Sequence, residues 1–448
     1  LYYSYFNSRI GVFAGSHIGN LTDLENAFTS DTPLVYQDFT YHIGKPYQFI
    51  EHHLLKSKHT WNTNFGNLEA ILAYQDDHRS EYDTRRSGGD APNLYFEIGT
   101  INADVLWKHP AKNSFNGTIG INGMRQQNIT DGDIFIPNYH NYSGGFYAIE
   151  KYTLHNLTLE GGLRYDYRWL QIFKSENDSV FSPESSYANL SWQLGAIYRP
   201  NTWLRIQLNS GTAWRAPSVS ELYSDGLHHG AAALEYGDSA LQTEVLYGNS
   251  ISTHVHLPKV HFDIDMFYNL INNYIYLKPS MPPVLTIAGA FPVFKYAQTD
   301  AQLYGIDASL SYEFIQYFLA ELRASVVRGR DIIEDSWLVQ MPADRVSMAL
   351  HYSLNNKNAV YFNVKGEYTF KQTRYEDGND YVPPPDAYTL FSAETGGLLF
   401  AGIHNWEWSI SAENILNVAY RNYMNRLRYF ADEAGINIMC RLKIPFKK

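Results

Sequence analysis

Apolar and polar residues alternate at every second position over long stretches of the chain, and this period of two is its main structural signal. A helix would repeat about every 3.6 residues, so the pattern predicts β-strands. From Leu157 to Trp169 the apolar and aromatic residues share one face, while the opposite face carries Arg164 and Asp166. The same division recurs over 260–270 and 360–371, so we predict strands along most of the chain.

The predicted strands are long. The alternating runs extend over about 12 to 18 residues, whereas strands of globular proteins have about 5 or 6 and a tilted membrane strand needs about 9 to 11. A soluble sandwich and a membrane barrel both need one apolar face per strand, so it is the length that favours the barrel, whose apolar face meets lipid. Counting the runs gives about 18 strands. No run of about 18 consecutive apolar residues occurs, which excludes a transmembrane helix.

The connections between the predicted strands alternate in length. Short ones lie at 109–112, 199–201 and 355–357, and long ones at 19–46, 214–241, 278–296 and 373–385. Short periplasmic turns and long extracellular loops are the rule for outer-membrane barrels. We therefore predict an all-β fold, a large antiparallel transmembrane β-barrel that occupies residues 1–448 and lies in the outer membrane. The final alternating run, from Ile436 to Phe446, is typical of the strand that ends such a barrel.

The composition agrees with a membrane barrel. Charged residues make up 18% of the chain and aromatic residues 15%, with a mean hydropathy of −0.34. A soluble protein would carry about 25% charged residues. The net charge of −11 argues against a nucleic-acid partner. The single cysteine, Cys440, excludes an intrachain disulfide and falls on the apolar face of the last run.

Residues 214–223 read WRAPSVSELY and resemble the FRAP…ELY segment of TonB-dependent receptors, with Trp214 in the Phe position. The residues that follow, SDGLHHG at 224–230 and EYGDSAL at 235–241, resemble the continuation of that segment. Near the start, GSHIGNLTDL at 15–24 is similar to a segment of the same receptors, and near the end ENILN at 413–417 resembles their NLFN run. The order and spacing of these segments extend the resemblance over essentially the whole chain.

The resemblance implies a barrel of about 22 strands that surrounds an N-terminal plug, with a TonB box before the plug. Nothing in this sequence resembles the plug or the TonB box, so we expect the chain to begin several strands into the barrel. The resemblance also implies active import of a scarce nutrient, such as an iron–siderophore complex, haem, cobalamin or a metal ion. The implied partners are outer-membrane lipids and TonB with its inner-membrane energy complex, reached through the missing N-terminus. A surface lipoprotein partner stays open.

The long segment 214–241 is the candidate ligand site. Imidazole suits iron, zinc and copper, and the resemblance implies a functional histidine in this loop of haem receptors. The predicted ligand-binding residues are Asp225, His228, His229, Tyr223 and Arg215, with His228 and His229 as metal ligands. The alternative is a structural loop in which the histidines hydrogen-bond locally and Arg215 pairs with a carboxylate.

Catalytic motifs are missing from the sequence: G-x-S-x-G, H-E-x-x-H and the P-loop do not occur. We therefore predict that the protein is not an enzyme and holds no resident cofactor, its transported ligand being haem or a metal complex. A passive porin, a barrel enzyme and a soluble adhesin are the alternatives. The acidic loop with Asp131 and Asp133 is a further candidate, for Ca²⁺, with solvated charge as its alternative.

Overall fold

The computed structural model describes residues 1–35, 40–83, 91–112, 114–176, 179–354, 359–401 and 404–445. Within these ranges it has 24 β-strands, two α-helices and three 3-10 turns. Six of the 24 strands have four residues or fewer, which leaves 18 longer strands, as the alternation predicted. Twenty-two strands belong to one sheet, and the other two pair with each other. No helix in the described ranges is long and apolar enough to cross a membrane.

The helices are α1 (Leu21–Thr29) and α2 (Val219–Tyr223), and the 3-10 turns are Ala14–Ser16, His229–Ala231 and Arg426–Tyr429. The strands are β1 (Tyr2–Gly11), β2 (Tyr47–Thr63), β3 (Gly66–Tyr82), β4 (Leu94–Lys108), β5 (Phe115–Gly132), β6 (Asn138–Leu154), β7 (Leu157–Glu176), β8 (Ser179–Phe181), β9 (Glu184–Tyr198), β10 (Leu204–Arg215), β11 (Asp225–His228), β12 (Ala233–Tyr236), β13 (Glu244–His256), β14 (Val260–Pro279), β15 (Val284–Thr286), β16 (Gly289–Phe291), β17 (Val293–Ile315), β18 (Phe318–Asp331), β19 (Ser336–Trp337), β20 (Arg345–Ser353), β21 (Tyr361–Thr369), β22 (Tyr388–Ala401), β23 (His404–Glu413) and β24 (Asn437–Lys443).

The chain divides into two compact units. The first consists of Leu1–Ala196, Asn209–Gly248 and Leu270–Ala301. In this unit β1 to β7 pair in chain order, each strand antiparallel to the next. The second consists of Ile197–Leu208, Asn249–Asn269 and Gln302–Lys448. In it β18 pairs with β20, and β20 to β24 continue as antiparallel neighbours.

The apolar faces of the predicted strands are exposed. In β7, Leu163 and Tyr165 are 59% and 51% exposed, whereas Arg164 on the opposite face donates from Nε to Asp166 Oδ2 at 2.7 Å. In β24, Ile438 is 65% exposed. A soluble sheet would bury its apolar face, so this arrangement is the one required of strands whose apolar face meets lipid.

The strands of the first unit have a short-turn end and a long-segment end. At the short-turn end, residues 64–65 join β2 to β3 and residues 155–156 join β6 to β7. At the other end, residues 12–46, which include α1, join β1 to β2. The predicted short connections at 109–112 and 199–201 and the four predicted long ones are confirmed. The predicted connection at 355–357 lies outside the described residues.

Buried apolar side chains hold the segment between β10 and β13 on the first unit. Val219 and Leu222 of α2 belong to one buried cluster with Leu170 and Ile172 of β7. β11 and β12 form a hairpin, and β12 runs parallel to the start of β17. This packing fixes the predicted ligand segment at the long-segment end of the strands.

Candidate functional site

The predicted ligand segment begins with a helix that carries a complete capping box. Ser218 Oγ accepts a hydrogen bond from the Glu221 amide at 3.2 Å, and the Glu221 carboxylate accepts one from the Ser218 amide at 2.7 Å. These bonds satisfy backbone donors that the first turn of a helix otherwise leaves unpaired. The short helix α2, which ends at Tyr223, therefore has a defined start.

Arg215 is bound by two carboxylates of the protein. Its Nη1 donates to Glu221 Oε1 at 2.8 Å, and its Nη2 donates to Glu244 Oε2 at 3.0 Å. The side chains of Glu221 and Glu244 are only 13% and 16% exposed. Because these partners occupy the guanidinium, the geometry favours the architectural alternative for Arg215, and a ligand-binding role for it stays a prediction.

Tyr223 and Asp225 lie beyond the helix, in different surroundings. Tyr223 packs against the apolar cluster under α2, and burial raises the pKa of its hydroxyl. Asp225 is exposed, and its amide donates to the Phe135 carbonyl at 3.0 Å. In the described ranges one group of ligand-type side chains is close enough to share a metal ion, and Asp225 is not part of it. Ligand-binding roles for Tyr223 and Asp225 stay predictions.

That group consists of His17, Asp83 and His229. His229 Nδ1 lies 2.9 Å from Asp83 Oδ2, and His17 Nε2 lies 3.6 Å from the same oxygen. The side chains of His17, Asp83 and His229 are 15%, 10% and 8% exposed. Three separate segments supply them: His17 precedes α1, Asp83 follows β3, and His229 opens the turn between β11 and β12.

The two histidines of this cluster differ in how readily they carry charge. For His17, burial is the largest influence and lowers its pKa, although the charge of Asp83 opposes the shift. For His229, burial also disfavours the charged form, but the hydrogen bond and charge of Asp83, with the nearby carboxylates, outweigh it and raise the pKa. The same cluster therefore shifts the pKa values of its two histidines in opposite directions.

His228 faces a different set of partners. Its Nδ1 lies 3.3 Å from Glu235 Oε1, and its Nε2 lies 3.4 Å from Arg79 Nη2. Its side chain is 24% exposed, and its ring centroid lies 5.1 Å from that of Phe135. The strand β11 ends at His228 and a 3-10 turn begins at His229, so the two rings leave the backbone in different directions. The structure thus divides the two predicted metal ligands between two sites.

Sequence reasoning missed His17 and Asp83. His17 lies in a segment that was recognised for its resemblance, but no local spacing connects it to the predicted loop, and Asp83 is 146 residues from His229 along the chain. The strand register joins them, because the last residues of β1 and β3 both pair with Tyr47 of β2. The residues that follow β1 and β3 therefore leave the sheet at the same level.

Comparison with known proteins extends this description. A family model described as TonB dependent receptor-like, beta-barrel, matches residues 2–418. The TonB-dependent heme receptor A of Haemophilus ducreyi is 21% identical over an alignment of 460 positions, which covers 89% of this chain and 60% of the relative. The solved Copper transporter OprC superposes with a TM-score of 0.73 at 14% identity, covering 89% of this chain and 66% of that one. The Serratia marcescens hemophore receptor HasR, solved as a double mutant in complex with its hemophore HasA and heme, superposes with a TM-score of 0.66 at 16% identity, covering 89% of this chain and 66% of that one.

These matches confirm the predicted all-β barrel fold and the resemblance to TonB-dependent receptors. The similar proteins are receptors and transporters, as expected of a chain that is not an enzyme. Receptor barrels of this kind are outer-membrane proteins. The chain spans 60% and 46% of the lengths of the two curated haem receptors that it matches over most of its own length.

Proposed function

The chain belongs to the TonB-dependent receptor-like β-barrel family, and on that premise we propose that it is the barrel portion of an outer-membrane receptor that imports an iron-containing ligand, with haem as the first candidate. TonB and the inner-membrane energy complex would drive the import by acting on a plug that the barrel surrounds. The similarity to two haem receptors over most of the chain supports testing haem first. An iron–siderophore complex, cobalamin and free metal ions are the other ligands to be tested.

The observation that carries this proposal is the environment of His228. Its Nδ1 lies 3.3 Å from Glu235 Oε1, and the Glu235 side chain is only 4% exposed. Histidines that ligate a metal usually donate their other ring N–H to a carboxylate, which fixes the tautomer and the ring orientation. With the proton on Nδ1, the lone pair lies on Nε2 of a side chain that solvent still reaches. Nε2 is therefore the ring nitrogen that would ligate an incoming iron, once its contact with Arg79 is released.

A positive charge lies beside this histidine. Arg79 forms an ion pair with the buried carboxylate of Glu81, and its Nη2 lies 3.4 Å from His228 Nε2. Haem carries two propionate groups, and a guanidinium binds carboxylates with paired hydrogen bonds. Because a guanidinium only donates, Arg79 donates to the Nε2 lone pair of His228 in this structure. For haem to bind as proposed, Arg79 would turn to a propionate as His228 takes the iron.

His229 fits the role of haem ligand less well. Its side chain is 8% exposed, and its Nδ1 is already 2.9 Å from Asp83 Oδ2. A flat macrocycle with an iron at its centre needs an imidazole that projects into open space, and a nearly buried ring cannot meet that need. The proposed iron ligand is therefore His228 alone.

The test is a haem titration of the full chain in detergent, followed by absorbance. We expect a saturable Soret shift in the parent protein that His228→Ala loses. His254→Ala is the matched control, because His254 is 29% exposed and its Nδ1 lies 2.6 Å from Asp263 Oδ1, so it too is a partly exposed histidine paired with a carboxylate. The control should keep the shift.

Three results would overturn the proposal or parts of it. If the parent protein gives no Soret shift, haem is removed as a ligand, and binding of siderophore complexes, cobalamin and free metals is measured next. If His228→Ala keeps the full shift, another residue ligates the iron. Steady conductance of the chain in a planar bilayer, without any ligand binding, would favour the passive porin instead.

A surface lipoprotein partner stays a prediction.

A further inference from the structure

We propose that His17, Asp83 and His229 form a binding site for one divalent first-row transition metal ion, and that this ion ties together three segments at the long-segment end of the first unit. The inference goes beyond the proposed import function, because the ion is a resident of the fold and not the imported ligand. The site is also distinct from His228, which faces Glu235 and Arg79.

The donor atoms have the spacing that a metal ion needs. A tetrahedral Zn²⁺ with ligands at about 2.0–2.1 Å holds neighbouring donor atoms roughly 3.3 Å apart. Here Asp83 Oδ2 lies 2.9 Å from His229 Nδ1 and 3.6 Å from His17 Nε2. The three donor atoms all lie within 4.8 Å of one another, so modest side-chain shifts would complete the coordination.

An independent observation concerns His17. Its Nε2 is buried and has no hydrogen-bond partner among the described residues. On the other side of the ring, Nδ1 lies 3.4 Å from Ser16 Oγ, whose hydroxyl donates to the Phe13 carbonyl at 2.6 Å, so Oγ is left to accept from Nδ1–H. That tautomer points a buried lone pair towards Asp83. A buried polar atom without a partner is unfavourable, and a metal ion would satisfy it.

The other two ligands also have polar neighbours outside the cluster. The Asp83 amide donates to Asn93 Oδ1 at 2.9 Å, which fixes the residue at the end of β3. His229 Nε2 lies 3.7 Å from Asp133 Oδ2, on the side of the ring opposite the proposed metal. At 3.7 Å this is a contact between charges and not a hydrogen bond, and the Asp133 side chain is 68% exposed.

The ligand set selects the class of metal. Two imidazoles and one carboxylate suit Zn²⁺ and Fe²⁺ and leave a coordination position for water. Ca²⁺ and Mg²⁺ prefer sites made of oxygen atoms. All three side chains are at most 15% exposed, so the ion would lie within the packed segments.

The experiment uses the full chain in detergent, stripped with a chelator and dialysed. Zn²⁺ is titrated calorimetrically, and Co²⁺ is titrated by absorbance, since its d–d bands report tetrahedral coordination. We expect one ion per chain. His17→Ala, Asp83→Asn and His229→Ala should each weaken binding by at least about 100-fold, the upper end of what loss of a supporting residue does. The matched control is His254→Ala, a partly exposed histidine that pairs with a carboxylate and lies outside the cluster, and it should bind Zn²⁺ as the parent chain does.

Several outcomes overturn the proposal. It fails if the parent chain binds neither Zn²⁺ nor Co²⁺, or if His17→Ala binds as tightly as the parent, because a His229–Asp83 hydrogen bond alone would not involve His17. Folding of each variant is checked by heat-dependent gel mobility, and His17→Gln replaces a His17→Ala chain that does not fold. Because the readout is metal binding alone, it is independent of whether the chain binds haem.

Discussion

Replacing Arg215 by alanine tests whether the ligand segment is held by charge. Arg215 makes four hydrogen bonds to carboxylates: Nη1 to both oxygens of Glu221 at 2.8 and 2.9 Å, and Nε and Nη2 to Glu244 at 3.1 and 3.0 Å. Glu244 Oε2 also accepts the Ile275 amide at 2.8 Å. The substitution leaves two nearly buried carboxylates without their cation.

The expected loss of stability in this segment follows from the same geometry. Removing one partner of a fully buried ion pair costs about 3–5 kcal/mol. The Arg215 side chain is 40% exposed, so water screens part of the interaction, and about 2–3 kcal/mol is the appropriate range. A factor of ten corresponds to about 1.4 kcal/mol, so local opening of the segment should become roughly 30- to 140-fold more frequent.

The assay is hydrogen–deuterium exchange with mass spectrometry, read on peptides that cover α2 and the β11–β12 hairpin, because exchange reports local opening free energies. Arg215→Lys should give an intermediate result, since an ammonium group cannot make the paired contacts of a guanidinium. Lys151→Ala is the control. Its Nζ lies 3.0 Å from Glu160 Oε2, with side chains 41% and 31% exposed, and loss of such a surface pair costs at most about 1 kcal/mol.

The reasoning is refuted if exchange in α2 is the same in Arg215→Ala and in the parent chain. The segment would then be held by its apolar cluster, in which Leu170 and Ile172 are each 1% exposed. A rise of similar size in Lys151→Ala would be equally damaging, because it would show a general loss of stability.

The same exchange measurement checks two further substitutions. Ser218→Ala removes the side-chain half of the capping box and should cost about 1 kcal/mol, which raises exchange in α2 about fivefold; unchanged exchange would show that the cap contributes nothing. Gly237→Ala places a Cβ 2.5 Å from the Tyr223 nitrogen and 2.6 Å from the Leu222 carbonyl carbon. Backbone atoms cannot shift as easily as a flexible side chain, so we expect the free energy of local opening to fall by about 1–3 kcal/mol. Exchange within twofold of the parent chain would contradict this expectation.

The strands could be predicted from the sequence because strand geometry itself produces the alternation of apolar and polar residues. Each residue of a strand points to the face opposite its neighbour, so Leu163 beside Arg164 already states which side chain meets an apolar environment. The structure gives these two residues the expected surroundings, with Leu163 59% exposed and Arg164 bound to Asp166. For a strand, the local sequence pattern is therefore enough to predict which face each side chain occupies.

The candidate site could be predicted only in part, since its geometry depends on strand register. The predicted segment supplied His229, but its partners Asp83 and His17 are reached through the pairing of β1, β2 and β3. Pairing register depends on contacts between strands and turns, and no short motif encodes it. The separation of His228 from His229 depends likewise on a single change of backbone conformation between strand and turn.

The two adjacent histidines show how one turn can serve two purposes. His228 is partly exposed and supported by a buried carboxylate, which suits a residue that receives a ligand. His229 is nearly buried and lies against residues of two other segments, which suits a residue that holds the turn in place. A metal ion bound by His17, Asp83 and His229 would order these segments before a ligand reaches His228. Less conformational entropy would then be lost when the ligand binds. The coupling is reciprocal by thermodynamic necessity, since a ligand that orders the same turn must tighten the binding of the ion by the same factor.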